Sequence, residues 1–164
     1  MMAPALALLG ALVAGLSCPV AAEPSRALAG LVTVAVEVEL APSQESVSAE
    51  QLTQRIRARL REGAPALTLD PAARDRLRLG VAVRPHGAST LRGFWLPFSG
   101  TYGIGLVRLS LERVVTIAGV RDPVRASVWH AERQAAGPWR ESPAEILTLL
   151  DANLTDFLDA YHRR

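Results

Sequence analysis

The chain has no lysine, a single cysteine and only eight aromatic residues among 164. Each scarcity excludes something. Without lysine, all eighteen basic side chains are arginine, and beside so much Ala, Leu, Gly and Pro this reads as coding bias rather than selection for guanidinium chemistry. Sixteen carboxylates leave a formal net charge of only +2, so an isoelectric point near 9.3 overstates the positive excess. A nucleic-acid binder concentrates far more positive charge on one face, and nucleic acid is not an expected partner.

The one cysteine, Cys18, lies in "MMAPALALLGALVAGLSCPVAA", residues 1–22, which hold no ionised side chain. An apolar run closed by Val20-Ala21-Ala22 has the form of a secretory signal peptide, with a mature domain expected over 23–164. The segment lacks the usual Lys or Arg at its start, which leaves retention as a membrane anchor open. Lipid attachment at Cys18 is the other alternative, although Gly15 rather than leucine stands three positions before it. Cleavage removes Cys18, and the mature chain then has neither a disulfide framework nor a thiol nucleophile. The expected location is periplasmic or secreted, and membrane-anchored only if the segment stays or Cys18 is lipidated.

What remains is ordinary globular material, 49% hydrophobic, with no repeats and no linker long enough to split domains. "LVTVAVEVEL" alternates strictly: Val32, Val34, Val36, Val38 and Leu40 on one face, Thr33, Ala35, Glu37 and Glu39 on the other. "VSAEQLTQRIRARLREG" reads as a helix. Ser48 and Gln51 form a capping box, Leu52, Ile56 and Leu60 make one apolar stripe, and Gly63 stands where a helix stops. Arg55 and Arg59 share one flank of that helix and Arg57 and Arg61 another, and both read as solvated surface rather than an anion-binding face. "LDPAARDR" predicts one helical turn with Asp70 as cap.

"LRLGVAVR" follows as a strand whose Arg76, Arg78 and Arg84 are placed to meet Glu37 and Glu39. "YGIGLVRLSLERVVTI" and "VRASVWHAER", joined by "AGVRDP", predict an antiparallel hairpin with paired positions summing to about 239–241. "SPAEILTLLDANLTDFLDAYHRR" closes the chain as an amphipathic helix carrying Ile146, Leu149, Leu150, Phe157 and Tyr161, with Leu154 and Leu158 at its edge. Its Asn153-Leu154-Thr155 sequon falls mid-helix and reads as chance. The order β-α-β-β-β-α predicts an α+β two-layer sandwich, a four-stranded mainly antiparallel sheet with both helices on one face.

These segments, with Trp129 in the last strand and Asp156, Phe157 and Tyr161 near the end, resemble a group of small exported bacterial proteins of unknown function. The resemblance implies an exported α+β domain and supplies no activity.

Chemistry is sparsely represented. His86, His130 and His162 are scattered, so no metal site is expected, and no cofactor motif stands out. "GTYGIG" precedes a strand, whereas a phosphate-binding glycine loop opens a helix. A hydrolase, the alternative reading, would need Ser99 or Ser127 near His130 with Asp122 as orienter, and no nucleophile elbow surrounds either serine. No catalytic residue is assigned. His130 reads as a buried or edge histidine with one hydrogen-bond partner.

The binding candidates are aromatic. Phe94, Trp95, Phe98 and Tyr102 crowd "FWLPFSGTYGIG", and the hairpin register brings Tyr102 opposite the neighbourhood of Trp139. These five are expected to gather at one end of the domain, as a satellite core or as an exposed patch for a protein or an envelope component. Trp129 is expected apart from them, opposite Ser110 or Glu112, as a packing or cation–π site among Arg125 and Arg133. The reading as a whole is an exported, non-enzymatic binding domain.

Overall fold

The computed structural model describes residues 24–41, 47–86, 102–138 and 143–164. The signal-like segment 1–22 lies outside them, as do Ser99, Ser142, Phe94, Trp95, Phe98 and Trp139.

The elements follow the patterning closely. A four-residue helix α1 (Pro24–Ala27) precedes β1 (Thr33–Leu40) and α2 (Ala49–Gly63). A two-residue strand β2 (Thr68–Leu69) then leads to β3 (Arg76–His86), β4 (Tyr102–Val115), β5 (Val124–Pro138) and α3 (Pro143–His162). The sheet order is β2-β1-β3-β4-β5. β1 runs parallel to both β2 and β3, while β3, β4 and β5 form antiparallel neighbours.

The architecture is α+β with a mixed sheet, and two details depart from the sequence expectation. The sheet has five strands rather than four, because β2 hydrogen-bonds the far side of β1: Thr68 N–H donates to Val32 O at 2.8 Å and Asp70 N–H to Val34 O at 3.1 Å. "LDPAARDR" is a turn rather than a helical one. Asp70 still caps it, its Oδ1 accepting from Ala72 N–H at 2.8 Å and its carbonyl from Ala73 N–H at 3.0 Å, but the chain turns once and goes on into β3.

α2 starts where expected. The Ser48 side chain accepts from Gln51 N–H at 3.1 Å, and Gln51 Oε1 accepts from Ser48 N–H at 3.3 Å. Its end has a different cause from the one read in the sequence. Gly63 is not in the left-handed conformation, which only Gly30 and Gly119 adopt among the described residues. A Cβ on Gly63 would lie 2.5 Å from Leu158 Cδ1, so the glycine lets α2 and α3 approach. Arg55, on the solvated flank of α2, reaches Asp151 on α3 at 2.6 Å. That hydrogen bond and charge hold the Arg55 guanidinium above its ordinary pKa.

Both long helices cover one face of the sheet, α2 against β1 and α3 against β4 and β5. The core between the layers takes Leu52, Ile56 and Leu60 from α2, and Leu77, Leu79, Leu109 and Leu111 from the sheet. From α3 come Ile146, Leu150, Leu154 and Phe157, so Leu154 lies at the centre of its apolar face rather than the edge. Asn153, the sequon asparagine, is fully buried and donates from Nδ2 to Val107 O at 2.9 Å. No glycan could be attached there in the folded domain.

Trp129 also belongs to this core. It is 8% exposed, and its ring meets Phe157 edge-on at 5.2 Å between centroids. Of the two roles expected for it, packing or a cation–π site among Arg125 and Arg133, it fills the first. Arg133 pairs instead with Asp156 at 2.7 Å, and Arg125 donates to the Arg74 carbonyl at 2.8 Å.

Candidate functional site

The face of the sheet opposite the helices carries the polar half of every alternating strand. β1 contributes Glu37 and Glu39, β3 contributes Arg76, Arg78, Gly80 and Ala82, and β4 contributes Leu106, Arg108, Ser110 and Glu112. The register sets these side by side: Glu37 neighbours Arg78, Glu39 neighbours Gly80, and Gly80 neighbours Arg108. Ion pairs then run diagonally between strands, Arg76 to Glu37 at 2.6 Å and Arg78 to Glu39 at 2.6 Å. Arg78 also reaches Glu112 at 3.4 Å, and Arg108 Nε donates to Glu132 on β5 at 2.6 Å. The pairing of Glu37 and Glu39 with the β3 arginines is the arrangement the sequence suggested.

A shallow trough of about 970 Å³ opens over this face. Its floor exists because Gly80 has no side chain and Ala82 a short one, and nothing lies within 4 Å of where a Gly80 Cβ would be. Glu39, Arg78, Arg108 and Glu112 edge it with charge, while Ser110, Ser127 and His130 line it with further hydrogen-bonding groups. The hydrogen bond and charge of Glu39, with Glu112 behind them, hold the Arg78 guanidinium above its ordinary pKa. The trough is therefore a fixed grid of compensated charges with hydroxyl groups between them. Such a surface can orient a polar guest by hydrogen bonds.

The hydrolase constellation is not assembled among the described residues. Ser127 Oγ donates to the Trp129 carbonyl at 3.4 Å, and no hydrogen bond links His130 to Ser127 or Asp122. His130 lies on the edge strand, as one of the two expected placements had it. It is exposed, stands directly opposite Ser110, and has no hydrogen-bond partner among the described residues, contrary to expectation. No group of three or more potential metal ligands occurs among the described residues.

Of the five aromatic candidates, only Tyr102 falls on a described element. It opens β4 opposite Pro138, the residue before Trp139, so the backbone register agrees with the expected neighbourhood. The pairs from Tyr102–Pro138 to Leu111–Trp129 sum to 240, which places Trp129 opposite Leu111 rather than Ser110 or Glu112.

Alternation in "YGIGLVRLSLERVVTI" sets Arg108, Ser110 and Glu112 on one face of the strand, but it does not disclose the trough they share with Ser127 and His130. The only signal for it was the glycine in "LRLGVAVR", a gap in a strand's side-chain row.

No protein-family model matches the chain, and no curated protein matches it. Among solved structures it is similar to PelC from Paraburkholderia phytofirmans, solved as a dodecamer with one methionine substitution. The identity is 17% over 80% of this chain and 86% of that one, with a TM-score of 0.43. A second PelC dodecamer gives 16% identity over 79% and 87%, with a TM-score of 0.40. A minor lipoprotein from Acinetobacter baumannii is 11% identical over 81% of this chain and 93% of its own, with a TM-score of 0.33. No helix among the described residues is long and apolar enough to cross a membrane.

Proposed function

We propose that this chain is an exported cell-envelope domain that acts by binding a protein or envelope component rather than by turnover. The trough carries the reading: a broad, shallow polar surface on a rigid sheet, its charges already compensated by neighbours, is built for recognition. The uncharged apolar segment 1–22 supports export, and Phe94, Trp95, Phe98, Tyr102 and Trp139 are kept as a second candidate contact.

Affinity capture from envelope extract, with mass spectrometry, tests the binding. Gly80→Trp fills the floor of the trough without meeting another atom near its Cβ. It is expected to keep the fold and lose the captured partner. Trp95→Ala with Phe98→Ala separates the aromatic contact in the same assay. Turnover of a generic ester, phosphoester or glycoside that is abolished by His130→Ala would refute the binding reading. Sequencing the exported protein's N-terminus is expected to give Glu23 first, and acylated Cys18 or a retained apolar run would move the protein to a membrane surface.

A further inference from the structure

The large hydrophobic side chains that stand exposed among the described residues are Val32, Val114, Ile117 and Val120. All four lie at one end of the sheet. β1 and β3 begin at this end, β4 leaves the sheet here, and the β4–β5 turn projects beyond it. Ile117 and Val120 form the tip of that turn, with Ile117 O accepting from Val120 N–H at 3.0 Å and Gly119 in the left-handed conformation. A tight hairpin tip has no need of branched apolar side chains in water.

The chain enters the domain at the same end. Arg113, at the base of the hairpin, donates to the carbonyls of Ala27 at 3.2 Å and Ala29 at 2.9 Å, and pairs with Asp75 at 3.1 Å. Arg164 donates to the Leu31 carbonyl. Residues 27–31 are thus fastened beside the hairpin, and residues 1–22, with no ionised side chain, precede them in the sequence.

Charge is also concentrated here. Segments 24–33, 61–75, 113–125 and 162–164 hold eight arginines against four side-chain carboxylates. That excess exceeds the +2 of the whole chain. An apolar hairpin tip at an end with an excess of arginine matches an anionic bilayer, whose phosphates attract guanidinium groups while the apolar residues enter below them.

We propose that the end of the domain carrying the β4–β5 hairpin lies against an anionic lipid surface, with Ile117 and Val120 inserted. This is a different surface from the trough. It extends the envelope reading, yet its test is made on vesicles and can fail or succeed whether or not the trough has a partner.

The test uses the full chain with Ile117→Cys or Glu145→Cys, labelled with a polarity-sensitive fluorophore, and the equally labelled parent as background for Cys18. Glu145 is exposed at the far end of the domain. Vesicles of phosphatidylcholine with a minority of phosphatidylglycerol are expected to blue-shift the label at 117, and spin-labelled lipid to quench it. The label at 145 stays unchanged. In chain recovered without residues 1–22, Ile117→Ser with Val120→Ser is expected to weaken vesicle partitioning on the order of tenfold. The proposal is overturned if the label at 117 ignores vesicles. It is equally overturned if that label shifts with protein concentration alone, which would mean a second copy covers this end.

Discussion

Asn153→Asp is the sharpest probe of the core. Asn153 is fully buried on α3, its Nδ2 donates to the Val107 carbonyl at 2.9 Å, and its Oδ1 has no partner among the described residues. An ionised aspartate has no N–H to give, so a carboxylate would face a carbonyl oxygen with no water to screen them. Burial disfavours the charged form and raises the carboxyl's pKa above the ordinary ~3.9, whereas the unfolded chain keeps that value. Between the two values the folded state holds the extra proton, so stability falls as pH rises through the folded-state pKa. At pH near 7 the expected loss is about 3–5 kcal/mol, the range for a buried charge without a partner. Toward about pH 4 the protonated group regains a donor, and much of the loss returns at about 1.4 kcal/mol per pH unit. Asn153→Leu separates charge from packing. It gives up a hydrogen bond worth about 1 kcal/mol and the unpartnered oxygen's cost of about 1–3 kcal/mol, against a crowding cost of similar size. It is expected to stay within about 1 kcal/mol of the parent with no added pH dependence. Urea unfolding followed by circular dichroism across this pH range measures all three proteins. If Asn153→Asp matches the parent at neutral pH and adds no pH slope, the buried Asn153–Val107 contact is wrong.

Phe157→Ala is expected to cost about 3–5 kcal/mol in the same assay, since the ring is fully buried against Trp129. A double-mutant cycle with Trp129→Leu and Phe157→Leu should return a coupling of about 0.5–1.5 kcal/mol. Ser48→Ala removes one half of the capping box and is expected to cost about 1 kcal/mol, seen as a lower urea midpoint with an unchanged slope. Glu39→Gln breaks an Arg78 ion pair whose members are both well exposed, and solvent screening holds the expected loss to about 0–1 kcal/mol, smaller still at high salt. A loss above about 2 kcal/mol would refute the solvent screening of the Arg78–Glu39 pair.

What the sequence disclosed and what it hid divide along one physical line. Alternation and helical spacing are local, so β1, β3, β4, β5 and both long helices were legible, as was the hairpin register, which one short turn constrains. β2 was not legible: two residues joined to β1 by backbone bonds leave no side-chain pattern. Gly63 was misread because a glycine that ends a helix and one that admits a neighbour's Leu158 look alike until the neighbour is placed. The most consequential hidden feature is a register shift of one residue. Leu111 pairs with Trp129 but Glu112 pairs with Ser127, so Val128 is the extra residue of a bulge. Unbroken alternation would put Ser127 and His130 on opposite faces, because they are three positions apart. The bulge reverses the parity between them. It turns Trp129 inward onto Phe157, and it leaves both Ser127 and His130 lining the trough. One unpaired residue therefore builds part of the core and completes the polar lining of the candidate site. Alternation alone gives no sign of it, because the displacement is fixed by the partner strand.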